Sequence, residues 1–168
     1  MGLRRYLAYG QYVHRHKLNT AREAHKLGVT GPGLLHDLGK LNPISFLAYA
    51  RHFYAADGSK RTDPFEPLGN WSDHAFLWAY RRHTTGSRHH YQHYVITDER
   101  GTHYVLPMPE ARVREMVADW AGVARTLRGS LSVEGWWSAN RSRLMLHPDT
   151  VKLVDRLIAE NYGGARTP

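Results

Sequence analysis

The chain has 168 residues, long enough to bury a core of its own without staples. It contains no cysteine, which excludes disulfides, thiolate zinc sites and cysteine nucleophiles, so any metal must be held by nitrogen and oxygen donors. Twelve histidines are many for this length and are the natural source of such donors, and the formal charge is +8.

The basic residues are spread along the chain, from Arg4 and Arg5 to Arg141 and Arg143, with no long basic block and no nucleic-acid-binding motif. Such a balance suits a phosphate-bearing substrate or plain solubility, and a macromolecular nucleic acid is not the favoured partner. No apolar run approaches the roughly 18 residues that span a bilayer. The basic start, Met1 to Gln11, lacks the apolar core and small-residue cleavage site of a signal peptide. The expectation is a soluble, cytoplasmic protein without membrane contact, folded as a single domain over residues 1–168.

In chain order, the spacing of Leu3, Leu7, Val13, Thr20, Ala24 and Leu27 predicts a long helix stopped by Gly28. A short connection, Val29 to Gly33, leads to a compact apolar turn, Leu34 to Leu38. Asn42-Pro43 is a helix-start signal, and the helix should reach about Tyr54. Ala56 to Asn70 has Gly, Pro, Asp and Ser without periodicity and reads as a surface loop. Ser72 or Asp73 can cap a helix through about His83. Thr84 to Arg88 breaks it, and His89 to Tyr94 reads as a helical turn.

Val95 to Thr97 and Thr102 to Leu106, joined by Asp98 to Gly101, predict one small hairpin. Pro107 to Glu110 starts a helix that carries Val113, Met116, Val117, Trp120 and Val123 on one stripe. Gly129 to Gly135 reads as a break, and a last helix begins at Pro148-Asp149 with Val151, Val154, Leu157 and Ile158 facing inward. The fold class is all-α with one small β-hairpin.

His36-Asp37 carries the chemistry. Flanked by Leu34, Leu35 and Leu38, the pair should sit at a buried corner, where an aspartate is costly unless a cation compensates it. A divalent metal is the usual compensation, and Gly39-Lys40 then places a positive charge beside any bound anion. The bland alternative is a capped turn with both side chains in water.

The string Leu34-Leu35-His36-Asp37-Leu38-Gly39-Lys40 resembles the signature of the HD-domain superfamily, most of whose members are metal-dependent phosphohydrolases. The resemblance implies an HD-domain-like helical bundle. It also implies a metal held by a histidine on an earlier helix, the His-Asp pair and a distant aspartate, often with further histidines for a second ion. His16 and Asp119 match the outer two positions, with His14 or His25 as alternatives to His16, because the stretch before His36 is shorter than usual in that superfamily. His83, His89 and His90 match the intermediate histidines, as second-metal ligands or general acid.

Tyr49 to Tyr54, the His89-His90 pair, and Met108-Pro109-Glu110 leading to Met116–Trp120 are also similar to a family of uncharacterised bacterial and phage proteins, over about His16 to Thr150. These likenesses imply hydrolysis of a small phosphorylated substrate, a nucleotide first. Manganese, iron, cobalt, nickel or zinc would serve as one or two ions, and Lys40, Arg81 and Arg82 would hold phosphate oxygens. A cyclic-nucleotide or dinucleotide phosphodiesterase, a di-iron oxygenase and a non-catalytic binding module are the alternatives.

Other polar and aromatic residues have plainer readings. His14, His25, His74 and His103 read as surface residues and His147 as a helix start. His52 and His93 are split between core hydrogen bonding and supporting a site. Trp71, Trp78, Trp120, Trp136 and Trp137 read as core, and Glu110 and Glu115 as first-turn helix charges.

Overall fold

The computed structural model describes residues 2–35, 38–61, 71–127 and 132–164, with the backbone alone at 32, 34, 35, 38, 41 and 71–73. Helices account for most of it, and one two-stranded hairpin is the only sheet among the described residues. The fold is all-α with one small hairpin, as the periodicities predict. No described helix is long and apolar enough to cross a membrane. By contact density the chain divides into two units: Met1–Arg15 with Asp37–Gly86, and His16–His36 with Ser87–Pro168.

Helix α1, Leu3–Lys26, runs through both units. Its buried stripe is Tyr9, Val13, His16, Thr20, Glu23 and Leu27, at alternating steps of four and three. The expected start of that stripe is corrected, because Leu3 and Leu7 are exposed. Leu7 lies two residues from Tyr9, about 200° around the helix, and the larger Tyr9 ring takes the inner side.

In the first unit Tyr9 packs with Phe46 and Tyr49 of α3, Pro43–Phe53, and the cluster continues to Phe76 of α4, Trp71–Gly86. Asn42 caps α3 as expected, its side chain accepting the Ile44 N–H at 3.1 Å. His52 is buried, its ring stacked on Phe76 with centroids 3.4 Å apart. The predicted end of α4 at His83 falls short by three residues. The helix runs on to Gly86, with the Thr84 and Thr85 hydroxyls donating to the carbonyls of Tyr80 and Arg81 one turn back and so finding partners inside the helix. Trp78 is 69% exposed, against the expectation of a core residue.

In the second unit, α2 is a six-residue helix, Thr30–Leu35, where a connection and turn were expected. A Cβ on Gly33 would collide with the Ala24 side chain, so the missing side chain lets α2 lie directly on α1. The hairpin pairs β1, Val95–Thr97, with β2, His103–Val105, in antiparallel register. Helix α5, Glu110–Thr126, and helix α7, Pro148–Tyr162, pack Val113, Met116 and Val117 with Val154, Leu157, Ile158, Ala24 and Leu27. His147 caps α7 by accepting the Asp149 N–H at 3.2 Å, which is its helix-start role.

Helix α6, Val133–Asn140, lies partly where a break was expected. Ser132 accepts the Gly135 N–H at 3.0 Å and caps it, while Val133 and Trp137 bury one face. Trp120 lies against Trp136 and Trp137, consistent with the core reading of these three.

Candidate metal centre

Helix α5 is buried on two faces for different reasons. One face is the apolar stripe of Val113, Met116 and Val117. The other carries Glu115, Ala118, Asp119, Gly122 and Thr126 at steps of three and four, a mixture of carboxylates and small residues. Small side chains let α1 approach this second face. Thr126 accepts a hydrogen bond from Asn19 of α1 at 3.1 Å, and a Cβ added to Gly122 would meet the backbone of Thr20 at 2.8 Å.

That close approach brings His16 to Asp119. His16 Nε2 lies 3.1 Å from Asp119 Oδ1, with the residues 1% and 6% exposed. The other ring nitrogen, Nδ1, stands 3.5 Å from the Thr20 hydroxyl one turn along. Two of the expected ligands, far apart in sequence, therefore meet inside the second unit.

Glu115 lies one turn before Asp119 on the same face, about 6 Å along the axis. Its expected role as a first-turn charge is corrected by burial: it is 4% exposed. Oε1 lies 3.3 Å from Nδ1 of His89, itself 5% exposed, and Oε2 accepts a 2.7 Å hydrogen bond from Nη1 of Arg112. A carboxylate so deeply buried is costly without a partner, and the Arg112 guanidinium is that partner. Glu110 keeps the simpler role. It is paired with Arg114 at the surface, and that hydrogen-bonded pairing holds its carboxyl below the usual range. The signal that could have found Glu115 was its spacing of four from Asp119, together with Ala118 and Gly122 beside them.

His83 is half-buried near the end of α4 in the first unit, and His89 and His90 belong to the second unit. The rings of His89 and His90 stand 4.2 Å apart, centroid to centroid. Arg81 and Arg82 are exposed on α4, with the Arg81 guanidinium 6.0 Å over the Trp78 ring. Lys40 is half-buried on the short 3-10 helix Leu38–Leu41. His14, His25, His74 and His103 are exposed. His36 and Asp37 lie outside the described residues, as do the side chains of Leu34, Leu35 and Leu38 that were expected to bury them.

The donors fit a divalent transition metal. Two ligands at right angles on an ion with bonds of about 2.1 Å stand about 3.0 Å apart, close to the separation of His16 Nε2 and Asp119 Oδ1. Each donor is nitrogen or carboxylate oxygen, the set that manganese, iron, cobalt, nickel and zinc accept. Where His89 faces Glu115, the arrangement is the carboxylate–histidine pairing that orients imidazole ligands.

No curated protein and no solved structure matches the chain. A family model does, over residues 5–160, which takes in nearly all of α1 and α7 and the whole of α5. The chain therefore belongs to the family of unknown function DUF5662.

Proposed function

We propose that this chain is a metal-dependent phosphohydrolase of the HD-domain kind. In this reading it is a cytoplasmic enzyme that cleaves a phosphate ester or anhydride of a small molecule, a nucleotide first among them. The observation that carries the reading is the buried His16–Asp119 pair, in which imidazole and carboxylate stand at the spacing of neighbouring metal ligands. His36-Asp37 would complete the set.

A bound divalent metal would supply Lewis acidity at a phosphoryl oxygen and lower the pKa of a water towards neutrality. The chain's own residues do the rest. Burial around His16 and Asp119 excludes bulk water and strengthens every charge interaction there. Glu115 holds His89 by its Nδ1 edge. A histidine of the 83–90 turn is a suitable proton donor to the leaving oxygen, because imidazole titrates in the useful range. Lys40, Arg81 and Arg82 are the cations assigned to the non-reacting phosphate oxygens.

The test is a screen of nucleoside mono-, di- and triphosphates with each candidate metal, with His36→Ala and Asp37→Ala as controls. The proposal predicts phosphate release that both variants abolish. Full turnover in either variant would refute it. Release of a linear nucleotide from a cyclic or dinucleotide substrate would move the assignment to a phosphodiesterase. Oxygen uptake by an iron-loaded sample would move it to an oxygenase.

A further inference from the structure

We propose that the cleft between α1, α5, α6 and the end of α7 binds a small zwitterion, a free α-amino acid first among them. The site goes beyond the hydrolase reading and does not depend on it. All of its described residues lie in the second unit, and none of them is an expected metal ligand or phosphate-binding cation.

The cleft has a volume of about 680 Å³, within the range that takes small organic ligands. Its lining joins a buried carboxylate, Glu23 of α1, to the buried apolar side chains of Ala121 and Val133. Both oxygens of Glu23 are engaged. Oε1 accepts from Nε of Arg125, and Oε2 accepts the Tyr162 hydroxyl at 2.9 Å. Glu23 is therefore an anchor for Arg125 rather than a contact for a ligand.

The anchor decides which edge of Arg125 is offered. A guanidinium has five N–H groups, and Glu23 takes the one on Nε. Nothing among the described residues bonds to Nη1 or Nη2, and the Arg125 side chain is 59% exposed. That leaves a planar pair of donors in the cleft, the geometry that meets a carboxylate with two parallel hydrogen bonds. Lys26, one turn along α1 from Glu23, is held in the same cleft. Its ammonium donates to the Asn161 carbonyl at 2.6 Å and lies 4.1 Å over the Tyr162 ring.

Two further side chains decide the class of ligand. Glu134, in the first turn of α6, and Glu160, near the end of α7, line the cleft and are exposed. Neither makes an ion pair among the described residues. With Glu23 they set three carboxylates against the two cations, so a phosphate dianion is poorly matched. A carboxylate on the Arg125 fork, with an ammonium group at Glu134 or Glu160, matches both signs. Ala121, Ala124 and Val133 offer apolar surface to the rest of such a ligand.

The experiment is calorimetric titration of the full chain with the free α-amino acids, their N-acetyl derivatives, the corresponding amines and inorganic phosphate. The expected result is saturable binding of at least one amino acid. Its N-acetyl form and its amine should each bind about 10-fold or more weakly, because each lacks one charged group. Glu134→Gln and Glu160→Gln alter exposed carboxylates and should fold normally, and at least one should weaken binding by a similar factor. Arg125→Lys, which keeps the charge and loses the fork, should weaken it too. No saturable binding of any amino acid at millimolar concentration would overturn the proposal. So would an N-acetyl derivative, an amine or inorganic phosphate that binds as tightly, or unchanged affinity in both glutamate variants. None of these outcomes bears on phosphate release, so this proposal and the hydrolase reading fail separately.

Discussion

Replacing Gly122 by alanine tests whether the α1–α5 approach builds the site. A Cβ there would stand 2.8 Å from both Cα and N of Thr20 and would collide with its hydroxyl, whereas ordinary Cβ contacts begin at 3.4 Å. Two of the three obstructing atoms are backbone, so no rotamer change relieves them. Helix α1 must move by more than half an ångström. Overpacking of this kind costs about 1–3 kcal/mol, and the gain in helix propensity from Gly to Ala returns about 1 kcal/mol.

The net loss is then up to about 2 kcal/mol, or a Tm lower by up to about 8 °C for a chain of this size. Thr20 is one turn from His16, and its hydroxyl faces the ring at 3.5 Å. The same displacement should therefore loosen the His16–Asp119 pair and weaken Co²⁺ binding. Gly10→Ala is the control. Its nearest neighbour would be Phe46 Cζ at 3.7 Å, an ordinary contact in mid-helix, so it should stabilise by up to about 1 kcal/mol. The assays are thermal unfolding and Co²⁺ titration of both variants. Equal stability of Gly122→Ala and Gly10→Ala, with metal affinity unchanged, would refute the close-approach argument.

Other residues give sharper local tests. Thr150→Val leaves the buried Met108 N–H without its 3.0 Å acceptor and should cost about 1–3 kcal/mol by urea unfolding, whereas Thr150→Ser should cost little. Tyr162→Phe removes the 2.9 Å donor to Glu23, a carboxylate also held by Arg125. Burial and Glu23 push the Tyr162 phenol far above its ordinary value, so it stays a donor throughout the working range, and its loss should cost about 1–2 kcal/mol.

Asp98 accepts the Thr102 and Arg100 N–H groups at 2.8 and 2.9 Å across the hairpin turn. Those backbone bonds, Thr102 first, hold its carboxyl below the ordinary value. A depressed folded value means that its contribution to the hairpin is present above the unfolded pKa and is lost as pH falls through the folded one. Titration of the Asp98 carboxyl by NMR should give a midpoint below that of a peptide spanning the same turn. Equal midpoints would show that the turn bonds do not form.

What the sequence made legible was local. The Asn42 cap, the Asp98–Gly101 turn and the three-four spacing in α5 and α7 each depend on neighbouring residues, and each is found where expected. The errors have a shared physical origin. Gly135 reads as a breaker, yet inside α6 its N–H bonds to Ser132 and the burial of Val133 and Trp137 outweighs its poor propensity. The stripe of α1 was set by Leu3 and Leu7, but Tyr9 has more surface to bury and turned the helix.

Glu115 was hidden by its place near the helix start, where a carboxylate needs no special reason. Only its spacing of four from Asp119, and the small residues Ala118 and Gly122 alongside, mark a second buried face of α5. His16 and Asp119 were readable as candidates. Their convergence was not, since it depends on how closely α1 can approach Gly122.

The most direct test of the central claim is the metal content of the purified protein, measured by elemental analysis beside His16→Ala and Asp119→Ala. The account predicts at least one transition-metal ion per chain in the wild-type protein. Each variant, folded by circular dichroism, should lose an ion. Wild-type metal content in both folded variants would contradict it and leave His16 and Asp119 as an ordinary buried ion pair.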